Sequence, residues 1–232
     1  MITHLLWDWN GTLLDDLDVS LKVLNTMLTR HGLRPIDREG YREVFCFPIH
    51  DYYQRVGFDF TKTPYSQLAE EYWELYDPLA RTAPLMDGAQ EVLQALSEEG
   101  FTQMILSASE RDHLRSVVMH FGIEGYFAQV LGLHDTHAVS KVELGRQWME
   151  KSGVPPNQVL FVGDTAHDQE TARRMGVSCV LIPQGHYSLD RLKPLGCPIL
   201  PNIRALPAYL AQRGDFTPAM LQQFSRGKES LS

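Results

Sequence analysis

The chain has 232 residues, 44% of them hydrophobic, enough for one substantial core or a core domain with a small companion. A formal net charge of −8 argues against a nucleic-acid groove or an anionic membrane surface as the main partner, so an anionic ligand must be met by a local device. Three widely spaced cysteines without CxxC spacing, no basic leader and no apolar run near the roughly 20 residues that span a bilayer read as neither secreted nor membrane-inserted, and suit a reducing cytoplasm.

In chain order, the apolar run His4 to Trp7 predicts a buried strand that ends at Asp8-Trp9-Asn10-Gly11-Thr12. Leu17, Leu21, Leu24, Met27 and Leu28 recur at helical spacing within Asp15 to His31, and Gly32 supplies a stop. Shorter helices are expected over Asp37 to Phe47 and His50 to Val56. A longer one over Pro64 to Ala80 opens on Thr63-Pro64, a cap followed by a proline suited to the first turn.

Helix and strand then alternate, the rhythm of a parallel sheet. Asp87 is expected to cap a helix over Gly88 to Glu98, Thr102 to Leu106 reads as a strand, and Ser109 is expected to cap a helix reaching Phe121. A weak strand at Gln129 to Leu131 precedes Ser140-Lys141-Val142-Glu143, a capping-box signature for a helix to Ser152. Strand Gln158 to Val162, helix Ala166 to Met175 and strand Ser178 to Ile182 complete the series, and Arg213 to Ser232 reads as a loosely held tail.

The expected fold is therefore α/β: an open parallel-sheet, Rossmann-like core of residues 1–14 and 83–210, with an all-helical domain of residues 15–82 inserted after the first strand and a tail from 211 to 232. Ligands of such sheets sit beyond the carboxyl ends of the strands. Asp8, Ser107, Lys141, and Asp164 with Asp168 all fall at such positions. A carboxylate nucleophile, a hydroxyl and an ammonium for phosphoryl oxygens, and further carboxylates for a hard cation form a coherent set. A lysine in a helix's first turn opposes the dipole, so Lys141 is better explained by an anion beside it.

The order and spacing of these motifs resemble the haloacid dehalogenase superfamily, in its phosphatase branch with a helical cap after the first motif, akin to phosphoglycolate phosphatases. The resemblance implies that Asp8 is the nucleophile and that Mg²⁺ is held by Asp8, the backbone carbonyl of Asn10 and Asp164, with Asp168 positioning metal-bound water. It also implies that Gly11, Thr12, Ser107, Ala108 and Lys141 bind phosphate. The reaction implied is a two-step phosphoryl transfer through an aspartyl phosphate. The partner expected is a small phosphorylated metabolite, with neither nucleic acid nor membrane, and the chain is expected to be a monomer or homodimer.

One residue departs from the family pattern. The first motif is usually Asp-x-Asp-Gly-Thr, and its second aspartate protonates the leaving group; here that residue is Asn10. An amide cannot exchange a proton at neutral pH, and a general acid–base group contributes roughly 10²–10⁴-fold, or about 3–5 kcal/mol. Three explanations stay open. The leaving group is good enough to need little protonation, as in an acyl phosphate, anhydride or aryl phosphate. A substitute comes from His50, Asp51, His167 or His186, of which His50 and His186 are also candidates for substrate specificity. Or the protein binds a phosphate ligand without hydrolysing it. A phosphomutase is a further possibility, and so is a phosphonate hydrolase, which would need a Schiff-base lysine at Lys22 or Lys62.

Overall fold

The computed structural model describes residues 1–133 and 140–215. Its sheet has five parallel strands, β1 (His4–Trp7), β2 (Thr102–Glu110), β3 (Gln129–Leu133), β4 (Val159–Gly163) and β5 (Ser178–Leu181), in the order β3-β2-β1-β4-β5. The chain leaves β1 toward β2 on one side and returns to β4 on the other. The switch point, where a crevice opens beyond the strand ends, thus lies at β1, and Asp8 follows it directly.

The sheet is buried on both faces, as parallel sheets are. Leu5 and Trp7 of β1 enter one apolar cluster, while Leu6 points the other way into a smaller cluster with Met104, Trp148 and Phe161. Gln103, a polar side chain buried in β2, is satisfied: its Oε1 accepts from Trp7 Nε1 at 3.1 Å and its Nε2 donates to Leu93 O at 2.8 Å.

Between β1 and the rest of the sheet come four helices, α1 (Leu17–Arg30), α2 (Arg38–Val44), α3 (Ile49–Arg55) and α4 (Tyr65–Ala80). The two strands of chain that lead into and out of them are stitched together. Asp15 N donates to Pro84 O at 2.9 Å and Met86 N to Leu13 O at 2.8 Å. Helices α5 (Ala89–Glu98), α6 (Arg111–His120), α7 (Lys141–Ser152), α8 (Ala166–Met175), α9 (Leu189–Leu192) and α10 (Leu206–Gln212) follow.

Up to β5 the element types agree with the sequence reading and the differences lie at element ends, whereas the short helices α9 and α10 are not predicted by it. Strand β2 runs on to Glu110, and it is the Glu110 carboxylate, not Ser109, that caps α6 by accepting from Asp112 N and His113 N. Helix α5 starts behind Gly88 in a left-handed conformation (φ 82°), while Asp87 pairs with Arg204. Thr63 gives α4 no side-chain cap. At α7, Ser140 does accept from Glu143 N at 3.2 Å. Residues 216–232 of the expected tail lie outside the described residues.

One close approach sets the height of Lys141 over the strand ends. Gly145, one turn along α7, lies where an added Cβ would come within 2.5 Å of Met175 Sδ and 3.0 Å of Leu106 Cδ2. Gly145→Val is therefore expected to force α7 outward and to lower the unfolding free energy by about 1–3 kcal/mol, measured by urea denaturation.

Candidate active site

At the carboxyl ends of β1 and β4 the chain buries four carboxylates, Asp8, Asp16, Asp164 and Asp168, with two basic groups, Lys141 and His186. Lys141, at the first position of α7, reaches back so that Nζ donates to Asp8 Oδ1 and to Asp168 Oδ1, each at 2.5 Å. The ammonium, 3% exposed, is held charged: burial opposes it, but Asp168 and Asp8 together outweigh burial and raise its pKa. The cation in the first turn, which the helix dipole disfavours, is thus explained by two anions.

Asp168 sits in the first turn of α8. Its Oδ2 accepts from Thr165 N at 2.9 Å, Thr165 Oγ1 at 2.7 Å and Asp164 N at 3.1 Å, so it folds the β4–α8 turn while its other oxygen faces Lys141. Burial works to raise its pKa, and Lys141 with the Thr165 hydroxyl brings it below the usual carboxylate range. Asp8 is less favoured. Burial and the charge of Asp168 lift it to about 6 in spite of Lys141. Asp164 is pushed well up by burial, with Asp168 and Asp8 adding to the effect and His186 opposing it. Its oxygens accept from Thr12 Oγ1 at 3.1 Å and from His186 N at 2.6 Å.

Asp8, Asp164 and Asp168 offer carboxylate oxygens that lie within 4.8 Å of one another, all buried. A divalent metal ion fits this set. The donors are hard oxygens, and burial together with the neighbouring carboxylates raises the pKa values of Asp8 and Asp164, a cost that a bound cation would offset.

The first-motif turn brings the remaining parts together. The amides of Leu13 and Leu14 both donate to Trp9 O at 2.9 Å, and Gly11 adopts φ 74°. A side chain at Gly11 would collide with the Asp164 carboxylate and the His186 ring, so glycine is required twice over. Ser107, buried at the end of the apolar part of β2, accepts from Ser109 N at 3.1 Å and faces the same cavity as Asp8, Ala108 and Lys141.

Asn10 is fully engaged. Its Nδ2 donates to Asp16 Oδ2 at 2.8 Å and to Tyr76 Oη at 2.6 Å, and its Oδ1 accepts from Ser109 Oγ at 2.8 Å. Asp16 is the hub of this network. It also accepts from Tyr76 Oη at 2.7 Å, Gly11 N at 2.9 Å and Ser20 Oγ at 3.2 Å, and pairs with His186 Nε2 at 3.3 Å. A carboxylate therefore does stand beside position 10, supplied from six residues along the chain. Burial works against the His186 imidazolium, but Asp16, followed by Asp164 and Asp8, carries its pKa up to about 9. Tyr41 Oη lies 2.9 Å from its Nδ1 and Phe45 stacks on its ring at 4.8 Å.

Of the expected specificity residues, His186 is thus in the cavity and His50 is not. His50, at the start of α3, has a side chain 47% exposed that pairs with Asp51 and packs on Phe60 and Tyr65. His167 lines the cavity, stacked on Phe47 at 4.5 Å. Lys22 and Lys62 are exposed and away from the cavity lining, which removes the Schiff-base reading. Asp16, Ser109 and Tyr76 were not singled out from the sequence. The doublet Asp15-Asp16 reads as a helix start, and only the fold reveals its partners. A signal did exist in α4, where Tyr65, Tyr72, Trp73 and Tyr76 share one helical face.

The family model described as haloacid dehalogenase-like hydrolase matches residues 5–182. The chain belongs to that family. Among its relatives, a 5'-nucleotidase of Pseudomonas aeruginosa is 26% identical over 200 residues, covering 82% of this chain and 86% of that protein. A phosphoglycolate phosphatase of Synechococcus elongatus is 26% identical over 184 residues, covering 78% and 84%. The solved structure of a haloacid dehalogenase-like family protein from Streptococcus pneumoniae superposes with a TM-score of 0.79 at 19% identity, covering 90% of this chain and 98% of that one. No helix among the described residues is long and apolar enough to cross a membrane.

Two outcomes follow from the Asp16 hub. Asn10→Asp sets a second carboxylate against Asp16 and removes two donors. It is expected to lower the unfolding free energy by about 1–3 kcal/mol, with most of the loss regained in Asn10→Asp/Asp16→Ser, both read by urea denaturation. Because the folded pKa of His186 lies above its unfolded value of roughly 6.5, its stabilisation is complete below that pH and is lost as pH climbs through about 9. In chelator-treated protein the Tm advantage of wild type over His186→Gln should accordingly shrink from pH 6 to pH 10.

Proposed function

We propose that the protein is a Mg²⁺-dependent phosphatase of small phosphorylated molecules, acting through an aspartyl phosphate on Asp8. Residues 1–14 and 83–210 serve as the catalytic core and residues 15–82 as a cap. The observation that carries this reading is the buried constellation in which Lys141 bridges Asp8 and Asp168 while Asp164 stands within reach of both, all beside Ser107. The phosphatases among the relatives support it.

In this mechanism Asp8 Oδ attacks phosphorus in line, and the ammonium of Lys141 stabilises the charge developing on the phosphoryl oxygens. The Ser107 hydroxyl, which faces the same cavity, orients those oxygens. Asp8, Asp164, Asp168 and the backbone carbonyl of Asn10 would hold the metal ion, which supplies positive charge opposite the transferred phosphoryl group. Water then attacks phosphorus in the aspartyl phosphate, which releases inorganic phosphate and restores the Asp8 carboxylate. Asp168, tied to Lys141 on one side and to Thr165 on the other, keeps both partners in place through the two steps.

One observation favours a second reading, ligand binding without turnover: both amide hydrogens of Asn10 are already donated to Asp16 and Tyr76, so no acid faces a leaving group at this position. The two readings separate by activity. Purified protein should hydrolyse p-nitrophenyl phosphate in a vanadate-sensitive manner that is lost with chelator and restored by Mg²⁺. Asp8→Asn should reduce turnover at least ~10³-fold, and Asp164→Asn should raise the Mg²⁺ concentration for half-activity at least ~10-fold. Mg²⁺ should also raise the Tm of wild type and of Asp8→Asn more than that of Asp164→Asn. Ligand-dependent stabilisation with no turnover of any phosphate ester would establish the binding reading instead.

A further inference from the structure

The phosphatase reading leaves the organic part of the substrate open, and the cavity over Asp8 restricts it. This cavity has a volume of about 240 Å³, at the small end for organic ligands, which commonly occupy roughly 300–1,000 Å³. Phe47, Ile49, Tyr52, Tyr65, Tyr72 and Trp73 line it on the side contributed by the helical segment. The phenols are kept neutral: burial pushes Tyr52, Tyr65 and Tyr72 all upward from the usual tyrosine pKa. The wall is therefore aromatic and uncharged.

Positive charge in the cavity is already committed. Among the described residues lining it, Lys141 is the only lysine or arginine, and it is engaged by Asp8 and Asp168. The His186 imidazolium is engaged by Asp16. A substrate carrying a carboxylate or a second phosphate would bury that anion against aromatic rings without a partner, which is strongly disfavoured.

The leaving-group side gives the same answer independently. Asn10 has no proton to transfer, and both of its N–H groups are spent on Asp16 and Tyr76. Both ring nitrogens of His186 are engaged, by Asp16 and Tyr41, and His167 is stacked on Phe47, so neither replaces the missing acid and the leaving oxygen departs as an anion. A phenol, with a pKa of roughly 10, tolerates this, whereas an alkanol resembles water, at about 15.7, and does not.

We propose that the substrate is an aryl phosphate monoester whose uncharged one- or two-ring group fills the aromatic cavity and leaves as a phenolate. The proposal rests on the phosphatase reading of the same site. Asp8 Oδ forms a bond to phosphorus as the P–O(aryl) bond breaks, and the electron pair departs on the phenolate oxygen. Water then forms a new P–O bond as the P–O bond to Asp8 breaks. Inorganic phosphate leaves with both protons of that water, and one of them passes through solvent to the phenolate.

The test compares kcat/KM, with Mg²⁺ present, for 1-naphthyl phosphate, phenyl phosphate, benzyl phosphate, acetyl phosphate and 2-phosphoglycolate. Benzyl phosphate keeps the ring but leaves as an alkoxide, and acetyl phosphate keeps a good leaving group without a ring. The two aryl esters should exceed benzyl phosphate at least tenfold and phosphoglycolate at least a hundredfold. Trp73, 38% exposed, can be truncated with little risk to folding. Trp73→Ala should lower kcat/KM for 1-naphthyl phosphate at least tenfold further than for acetyl phosphate, and Tyr65→Ala should act in the same direction. Phosphoglycolate or acetyl phosphate turned over as well as the aryl esters, or equal losses on both substrates in the two variants, overturns the aryl assignment and leaves the phosphatase reading standing. No turnover of any of the five removes the phosphatase reading itself.

Discussion

Charge compensation in a dry place governs this molecule. Asp8, Asp16, Asp164 and Asp168 are buried at the ends of two adjacent parallel strands, and among the described residues only Lys141 and His186 are buried with them as bases. Isolated ions in such a place would cost several kcal/mol each, so the fold is arranged around who faces whom. Lys141 is delivered by the first turn of α7, and His186 by the loop after β5. When all six groups are ionised, the cluster carries an excess of two negative charges. That excess is the electrostatic counterpart of a divalent cation, and it adds to the burial that raises the pKa values of Asp8 and Asp164.

The same compensation divides the site into two halves. On one side, Lys141 serves Asp8 and Asp168, where phosphoryl chemistry would take place. On the other, His186 serves Asp16, whose remaining hydrogen-bonding capacity goes to Asn10, Tyr76, Ser20 and the Gly11 amide. An aspartate at position 10 would crowd a second anion into that half. Against burial, His186 first and then the hydrogen bonds of Tyr76 and Asn10 keep Asp16 ionised, so the departure from the family motif supports the buried Asp16–His186 pair.

Much of this was legible in the sequence because it is local. Strand β1 is an uninterrupted apolar run, α7 and α8 start on recognisable cap residues, and Asp8, Lys141, Asp164 and Asp168 each sit at a strand end or in a helix's first turn. What could not be read depends on distant pairing. Asp16 looks like the start of α1 until Tyr76 and His186, 60 and 170 residues away, are brought against it. Ser109 looks like a helix cap until β2 extends past it and turns the hydroxyl to Asn10. His50 is a candidate through the family resemblance, whose caps place a specificity loop near it, yet the periodicity of seven residues is too short to say which face of α3 points outward.

Reciprocal hydrogen bonds join the helical segment to the loop that carries His186. Arg42 of α2 donates to Gln184 O at 2.8 Å and to Gly185 O at 3.1 Å, while Arg191 of α9 donates back to Arg42 O at 2.6 Å and Phe45 O at 2.7 Å. The clasp uses backbone acceptors throughout, so it registers position and is indifferent to the side chains around those carbonyls. Substitutions in the 184–191 segment at positions other than His186 can therefore reposition the aromatic wall without altering a residue that lines it, which makes this segment a remote dial for ligand fit.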